Sequence, residues 1–282
     1  MRIAGYDVRL LDAGRFRLDG GGMFGVVPRT LWTRSVEPDE QNRIVMATNC
    51  LLLEGHGRRV LIETGCGDKL SAKDREIYGI ANPGGIAAVL RDAGVGPESI
   101  DAVFVTHLHF DHGGGLTTTA AVGPAVPTFP NARVFVQHRE WDDATANRSH
   151  MKTTYRPENF QPIADAGRLE RLDGSITGVL EGIDVLATPG HTPGHQSILV
   201  SADGETLCFI GDLAPTRHHL RPYWTMSYDL APAQVNEVRQ ELIGQAIAGR
   251  WILVLPHDPD TPAVRVGADA QGRWVSEPVS LV

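Results

Sequence analysis

Residues 106–115 read Thr-His-Leu-His-Phe-Asp-His-Gly-Gly-Gly, directly after the apolar run Ile100-Asp-Ala-Val-Phe-Val105. Such a short, β-branched run predicts a buried strand. Four potential metal ligands, His107, His109, Asp111 and His112, then fall within six residues. Alternation at a strand end puts His107 and His109 on one side, and a tight turn returns Asp111 and His112 toward the same point. The three glycines let backbone approach that point closely. A lone histidine is most often a surface or hydrogen-bonded core residue, but the density of this cluster argues against that reading for the group. Imidazole and carboxylate in this arrangement suit a borderline divalent ion, zinc first, with manganese, iron or cobalt also accepted.

Three further candidates lie far along the chain: His191 in Thr188-Pro-Gly-His-Thr-Pro-Gly-His195, Asp212 in Phe209-Ile-Gly-Asp212, and His257 in Leu255-Pro-His-Asp258. Each follows an apolar run, as ligands at the ends of sheet strands should. Between them the chain alternates. Residues 42–63 read as a hairpin broken at Glu54-Gly-His-Gly-Arg-Arg59, residues 84–94 as a helix with Ile86, Val89, Leu90 and Ala93 on one face, and 132–137 and 138–145 as a strand and a helix. Short strands fill 168–211. A helix over about 229–249 carries Val235, Val238, Leu242 and Ile243, a strand follows at 251–255, and a last hairpin turns near Asp269. The mixture predicts layered α/β architecture in a single domain over 1–282, with a loop over about 16–40 that lines a pocket or contacts a partner.

Composition narrows the setting. A chain of 282 residues can bury a large core without disulfides, and its three cysteines, an odd number in unrelated contexts, predict neither a disulfide scaffold nor a cysteine-rich zinc module. The net charge of -8 argues against nucleic acid as a partner, since phosphate binding needs a basic surface. No stretch approaches a signal peptide or a membrane span, so no membrane partner and a cytoplasmic location are expected.

The motif His-x-His-x-Asp-His, with a distant His, Asp and His, resembles that of the metallo-β-lactamase superfamily over nearly the whole chain. The resemblance implies a four-layer αββα sandwich. It further implies that His107, His109 and His191 hold one metal ion, that Asp111, His112 and His257 hold a second, and that Asp212 bridges them. His138, His150, His195, His218 and His219 are not expected as ligands, and His195 is expected to stand behind them. Flavodiiron oxygen reductases have Glu where His109 stands, and the best-known zinc β-lactamases have Cys at the position of Asp212, for which Cys208 lies four residues too early. Nucleases of the superfamily usually add an RNA-binding arm or a second domain, for which neither room nor a basic patch is expected here, and glyoxalase-II-like thioesterases share the ligand pattern but carry a C-terminal helical region that is not evident.

The segments 16–28 and 211–229 look like those of YtnP-type quorum-quenching lactonases, relatives of N-acylhomoserine lactone hydrolases and, more distantly, of methyl parathion hydrolase. This implies opening of a small-molecule lactone or ester by a metal-bridging hydroxide held between ions about 3.5–4 Å apart. Asp111 would orient it and pass a proton to the departing oxygen. A phosphotriester or arylester hydrolase is the first alternative, and a redox or metal-binding protein without hydrolytic turnover the second. Resembling lactonases also imply a homodimer. The better-known ones carry a tyrosine three residues after the bridging aspartate, where this chain has Pro215, so Tyr223 or His218 would have to replace it. Met23, Phe24, Trp32 and Trp224 are candidate walls of an apolar channel, or else core or dimer contacts. Cys66, in Thr64-Gly-Cys-Gly-Asp68, is expected to be a packed thiol.

Overall fold

In the computed structural model, which describes residues 1–81, 84–149 and 153–281, sixteen strands form two large sheets and a two-stranded ribbon. His150 lies outside the described residues. The chain opens on β1 (Arg2–Ile3) and the long β2 (Tyr6–Asp19), followed by two short helices, α1 (Gly20–Phe24) and α2 (Arg29–Trp32). The hairpin β3 (Arg43–Gly55) and β4 (Arg58–Ile62) comes next, then α3 (Ala72–Ile77), α4 (Gly85–Asp92) and β5 (Ala102–Phe104). After the ribbon β6 (Thr117–Thr118) and β7 (Val126–Pro127), β8 (Arg133–Gln137) leads through α5 (His138–Thr145) and α6 (Pro157–Asp165) to β9 (Leu169–Leu172). The first sheet has the order β1-β2-β3-β4-β5-β8-β9, with β4, β5, β8 and β9 parallel.

The second sheet runs in sequence order through β10 (Ile176–Leu180), β11 (Ile183–Ala187), β12 (Gln196–Ala202), β13 (Glu205–Phe209), β14 (Ile252–Val254), β15 (Ala263–Ala268) and β16 (Trp274–Pro278). Its one parallel pair, β13 with β14, is joined by the crossover helix α7 (Pro232–Gly249). A parallel pair needs such a crossover.

The central strands are apolar without interruption because both of their faces are buried. Val60, Ile62 and Phe104 point between the sheets, toward Val185, Ile198, Leu207 and Phe209. Leu61, Val103 and Val105 point the other way, against Ile86 and Leu90 of α4 and Phe160 and Ile163 of α6. On the far side Cys208 and Leu253 pack with Val235, Leu242 and Ile243 of α7. The layers are therefore helix, sheet, sheet, helix. All three cysteines are free thiols. Among the described residues no helix is long and apolar enough to cross a membrane.

Two stretches depart from the expected elements for identifiable reasons. Where the sequence predicts a loop over 16–40, β2 continues to Asp19, whose carboxylate accepts from Gly22 N at 2.7 Å and caps α1. The capping bond and burial of Met23 and Phe24 outweigh the poor helix propensity of three glycines. Helix α7 begins at Pro232 rather than 229, because Asp229 is engaged elsewhere while Leu230 N and Ala231 N donate to the carbonyls of His191 and Gly190. Proline at its first turn sacrifices no intrahelical hydrogen bond.

Candidate metal centre

Five strand ends meet at one side of the sandwich. The segment after β5 carries His107, His109, Asp111 and His112; those after β11, β13 and β14 carry His191, Asp212 and His257; β4 is followed by Glu63. The structure brings all seven expected ligands together, each of them buried. His109 Nδ1 lies 2.9 Å from His107 Nε2 and 3.1 Å from His191 Nε2. His112 Nε2 and His257 Nε2 face each other at 2.9 Å, with Asp111 Oδ2 3.6 Å from the latter. Asp212 stands between the two sets. Its Oδ2 is 3.3 Å from His191 Nε2, and its Oδ1 is 3.3 Å from His257 Nε2 and 3.4 Å from His112 Nε2.

The outward-facing nitrogens explain what the inward-facing ones require. His191 Nδ1 donates to Asp229 at 2.8 Å, His257 Nδ1 to the Ala47 carbonyl at 2.8 Å, and His112 Nδ1 to Glu63 at 3.1 Å. With Nδ1 so engaged, Nε2 is the nitrogen whose lone pair the neutral ring offers to the cluster. Lone pairs then face lone pairs, and among the described residues Asp212 Oδ1 is buried without a hydrogen-bond donor. A buried acceptor in that state is costly unless a cation occupies the centre. The donor set therefore fits divalent metal ions. His107, His109 and His191 form one group able to hold an ion; Asp111, His112 and His257 form another; His107, His112 and Asp212 link them.

Electrostatics divide the cluster between imidazoles held neutral and imidazoles, His112 and His191, that an entering cation must deprotonate. Burial, reinforced by neighbouring imidazoles, pulls His107 and His109 well below the ordinary histidine range. Burial acts on His112 too, yet Asp212, Glu63 and Asp111 outweigh it and hold that imidazole well above the usual range. Burial opposes ionisation of Asp212 as well, but His112, His257 and His191 keep its carboxyl well below the usual carboxylate range. Behind it stands His195, which burial takes down to about 3 and so keeps neutral. Its Nδ1 donates to the Thr188 carbonyl at 3.0 Å, and its Nε2 accepts from Asp212 N at 3.0 Å.

A model of the Metallo-beta-lactamase superfamily matches residues 43–257, about three quarters of the chain. The chain belongs to the metallo-beta-lactamase superfamily. An N-acyl homoserine lactonase of Bacillus cereus is 25% identical over 206 residues, covering 68% of this chain and 74% of that protein. Among solved structures, a probable metal-dependent hydrolase from Staphylococcus aureus superposes with a TM-score of 0.89 at 30% identity, covering 99% of each chain. AidC, a dizinc quorum-quenching lactonase in complex with the product N-hexnoyl-L-homoserine, has a TM-score of 0.80 at 21% identity, covering 99% of this chain and 96% of that one. Family, fold and ligand cluster together make this a metal-dependent hydrolase.

Beside the centre of this metallo-beta-lactamase fold opens a cleft of about 300 Å³, into which His109, Asp111, His191, Asp212 and His257 project. Leu18, Met23, Tyr78, Phe110, Met226 and Tyr228 supply its apolar walls. Of the residues expected around a substrate, only Met23 lines it. Phe24 and Trp32 are buried behind that wall, in one apolar cluster with Phe16, Ile44 and Met46 and with the wall residues Met23 and Met226, and Phe24 stacks on Trp32 at 5.2 Å and on His219 at 5.1 Å. Trp224 meets Phe24 edge-on, and His218 lies in a neighbouring recess with Arg217 and Asp258. Tyr223 is 73% exposed and lines neither. The phenols at the cleft are Tyr78 and Tyr228. Pro215 instead accepts His257 N on its carbonyl at 2.9 Å, tying together the loops that carry Asp212 and His257. Burial pushes the Cys66 thiol well above its ordinary value, so it is protonated and a poor nucleophile.

Glu63 and Asp229, which no motif flags, are the carboxylates that orient His112 and His191. Glu63 also accepts Thr106 N at 2.7 Å, and Asp229 accepts Met226 N at 2.8 Å. Glu63→Gln and Asp229→Asn are each expected to weaken metal binding roughly 10- to 100-fold. Competition with a chelator measures this, and unchanged affinity in both variants would reduce these carboxylates to loop ties.

Proposed function

We propose that the chain opens the lactone ring of N-acylhomoserine lactones or related lactones at a dinuclear metal centre. The observation that carries this reading is the shared position of Asp212, one oxygen toward each histidine set, beside an apolar cleft. The relatives named N-acyl homoserine lactonases support the substrate class. In this reading His107, His109 and His191 would hold one ion and Asp111, His112 and His257 the other, with Asp212 within reach of both sets. When bound, the ions supply Lewis acidity and a water activated near neutral pH. The chain's own residues do the rest. Asp111, lining the cleft and 8% exposed, orients the attacking water, takes up the proton that water loses as its oxygen bonds to the carbonyl carbon, and returns it to the alkoxide oxygen when the ring C–O bond breaks. The apolar walls seat an acyl tail and exclude water around the ester.

We assign to Tyr228, a phenol of the cleft wall, the work of the tyrosine missing at Pro215. Burial pushes its phenol up to about 12, so it is a neutral donor at the cleft. Tyr228→Phe is expected to lower kcat about 10- to 100-fold if it stabilises the developing oxyanion. A KM change at constant kcat would assign it to binding alone.

Turnover of a lactone series against phosphotriesters, arylesters and thioesters tests the substrate class, with Asp111→Asn as the mechanistic control. Preference for triesters by several orders in kcat/KM would overturn the lactone assignment. Unchanged hydrolysis by Asp111→Asn would overturn its proton-transfer role. The same reading carries zinc as the ion, a homodimer and a cytoplasmic setting; elemental analysis, sedimentation of the purified protein and cell fractionation test them.

A further inference from the structure

Glu140, in the first turn of α5, is fully buried, yet its hydrogen bonds run to a backbone amide and two hydroxyls rather than to an imidazole. Its Oε1 accepts Leu108 N at 2.9 Å and the Tyr155 hydroxyl at 2.9 Å; its Oε2 accepts the Thr192 hydroxyl at 2.6 Å. Leu108 stands between His107 and His109, and Thr192 follows His191. The third donor, Tyr155, lays its ring 4.9 Å from that of His109 and pairs with it in an antiparallel bridge. A Cβ on Gly194 would run into Glu140 N, so the start of α5 is seated directly on the loop of residues 188–195.

One carboxylate thus joins two loops that leave different sheets. Burying it is costly, and three donors at these distances offset that cost only if both loops keep their present relation. The rings of the second histidine set are held by Glu63 and the Ala47 carbonyl, neither of which touches Glu140, although Glu63 also accepts Thr106 N beside His107.

We propose that Glu140 is a positioning residue of the His107, His109 and His191 set, fixing the meeting of their two loops where Asp229 orients only the His191 ring, and thereby governing one metal site more than the other. The metal-binding part of this inference rests on the dinuclear reading above.

The test compares the full-length protein with Glu140→Ala, Glu140→Gln and Thr192→Val. Zinc affinity is measured by chelator competition, and imidazole 1H–15N correlation spectra are recorded on the metal-free proteins. Glu140→Ala should weaken one zinc equivalent about 10- to 100-fold and leave the other nearly unchanged. The ring resonances of His109 and His191 should move while those of His112 and His257 stay. Glu140→Gln keeps an oxygen for Leu108 N and Tyr155 and should restore most of the affinity. Should Glu140→Ala not fold, Thr192→Val removes one bond only and should move His191 without His109. Equal weakening of both equivalents, wild-type behaviour of Glu140→Ala or Thr192→Val, or common movement of all four rings would overturn the proposal. Fewer than two zinc ions on the wild-type protein would instead overturn the dinuclear reading, and the metal-free spectra would still decide the role of Glu140.

Discussion

Asp212→Asn is expected to leave the protein folded, reduce tightly held metal below two ions per chain, and lower kcat/KM by at least about 10²- to 10³-fold. The substitution keeps the shape of the side chain and the Asp212 N–H that His195 accepts, so the local backbone retains its anchor. What it removes is the charge shared between the two histidine sets. An amide offers one oxygen where the carboxylate offers two, and its NH₂ would face either the 3.3 Å contact with His191 or the 3.3 Å contact with His257. It therefore serves one set at the expense of the other. Elemental analysis after dialysis, with circular dichroism to confirm folding, measures the outcome. Two retained ions with a rate within about tenfold of wild type would sink the bridging role, because the effect of losing one strong electrostatic partner in a dry site exceeds that.

The metal-binding segments were legible because their signals are local. Each ligand follows an apolar run that folds as a strand, and the spacing within 107–112 places four donors in one turn. The hairpin of β3 and β4 and the helix over 138–145 were legible for the same reason. The supporting carboxylates were not. Glu63, Glu140 and Asp229 sit in unremarkable surroundings, and their meaning lies in contacts 49, 52 and 38 residues away. The rest of the cleft wall is hidden from the sequence in the same way. Tyr223 and Tyr228 occupy one irregular loop without a period to say which side faces inward, and the fold turns the first to solvent and the second to the cleft. Phe24 and Trp32, in a stretch rich in Gly and Pro, read from sequence equally as channel wall or as core, and the cap at Asp19 folds the start of that segment into a small core.

The second large effect is expected at Gly211→Ala, which adds a single methyl group. Gly211 has a φ of +62°, and an added Cβ would lie 2.5 Å from His195 Nε2 and 2.8 Å from Thr106 Cγ2. His195 has little freedom to retreat, since its ring is held through Nδ1 by Thr188 and lies 5.3 Å from that of His107. The methyl group therefore breaks the bond from Asp212 N to His195 or drives the 106–107 backbone outward, and either displaces ligands. Left-handed strain of about 1 kcal/mol and overpacking of about 1–3 kcal/mol together predict a loss of roughly 2–4 kcal/mol in urea unfolding, with weakened metal binding. Gly204→Ala separates the two contributions. Its φ is +83°, but nothing lies within 4 Å of the added Cβ, so only about 1 kcal/mol of backbone strain is expected and metal binding should be unchanged. Equal losses in the two variants would mean that backbone strain alone governs the site, and that the contact between Gly211 and His195 does not hold Asp212 in place.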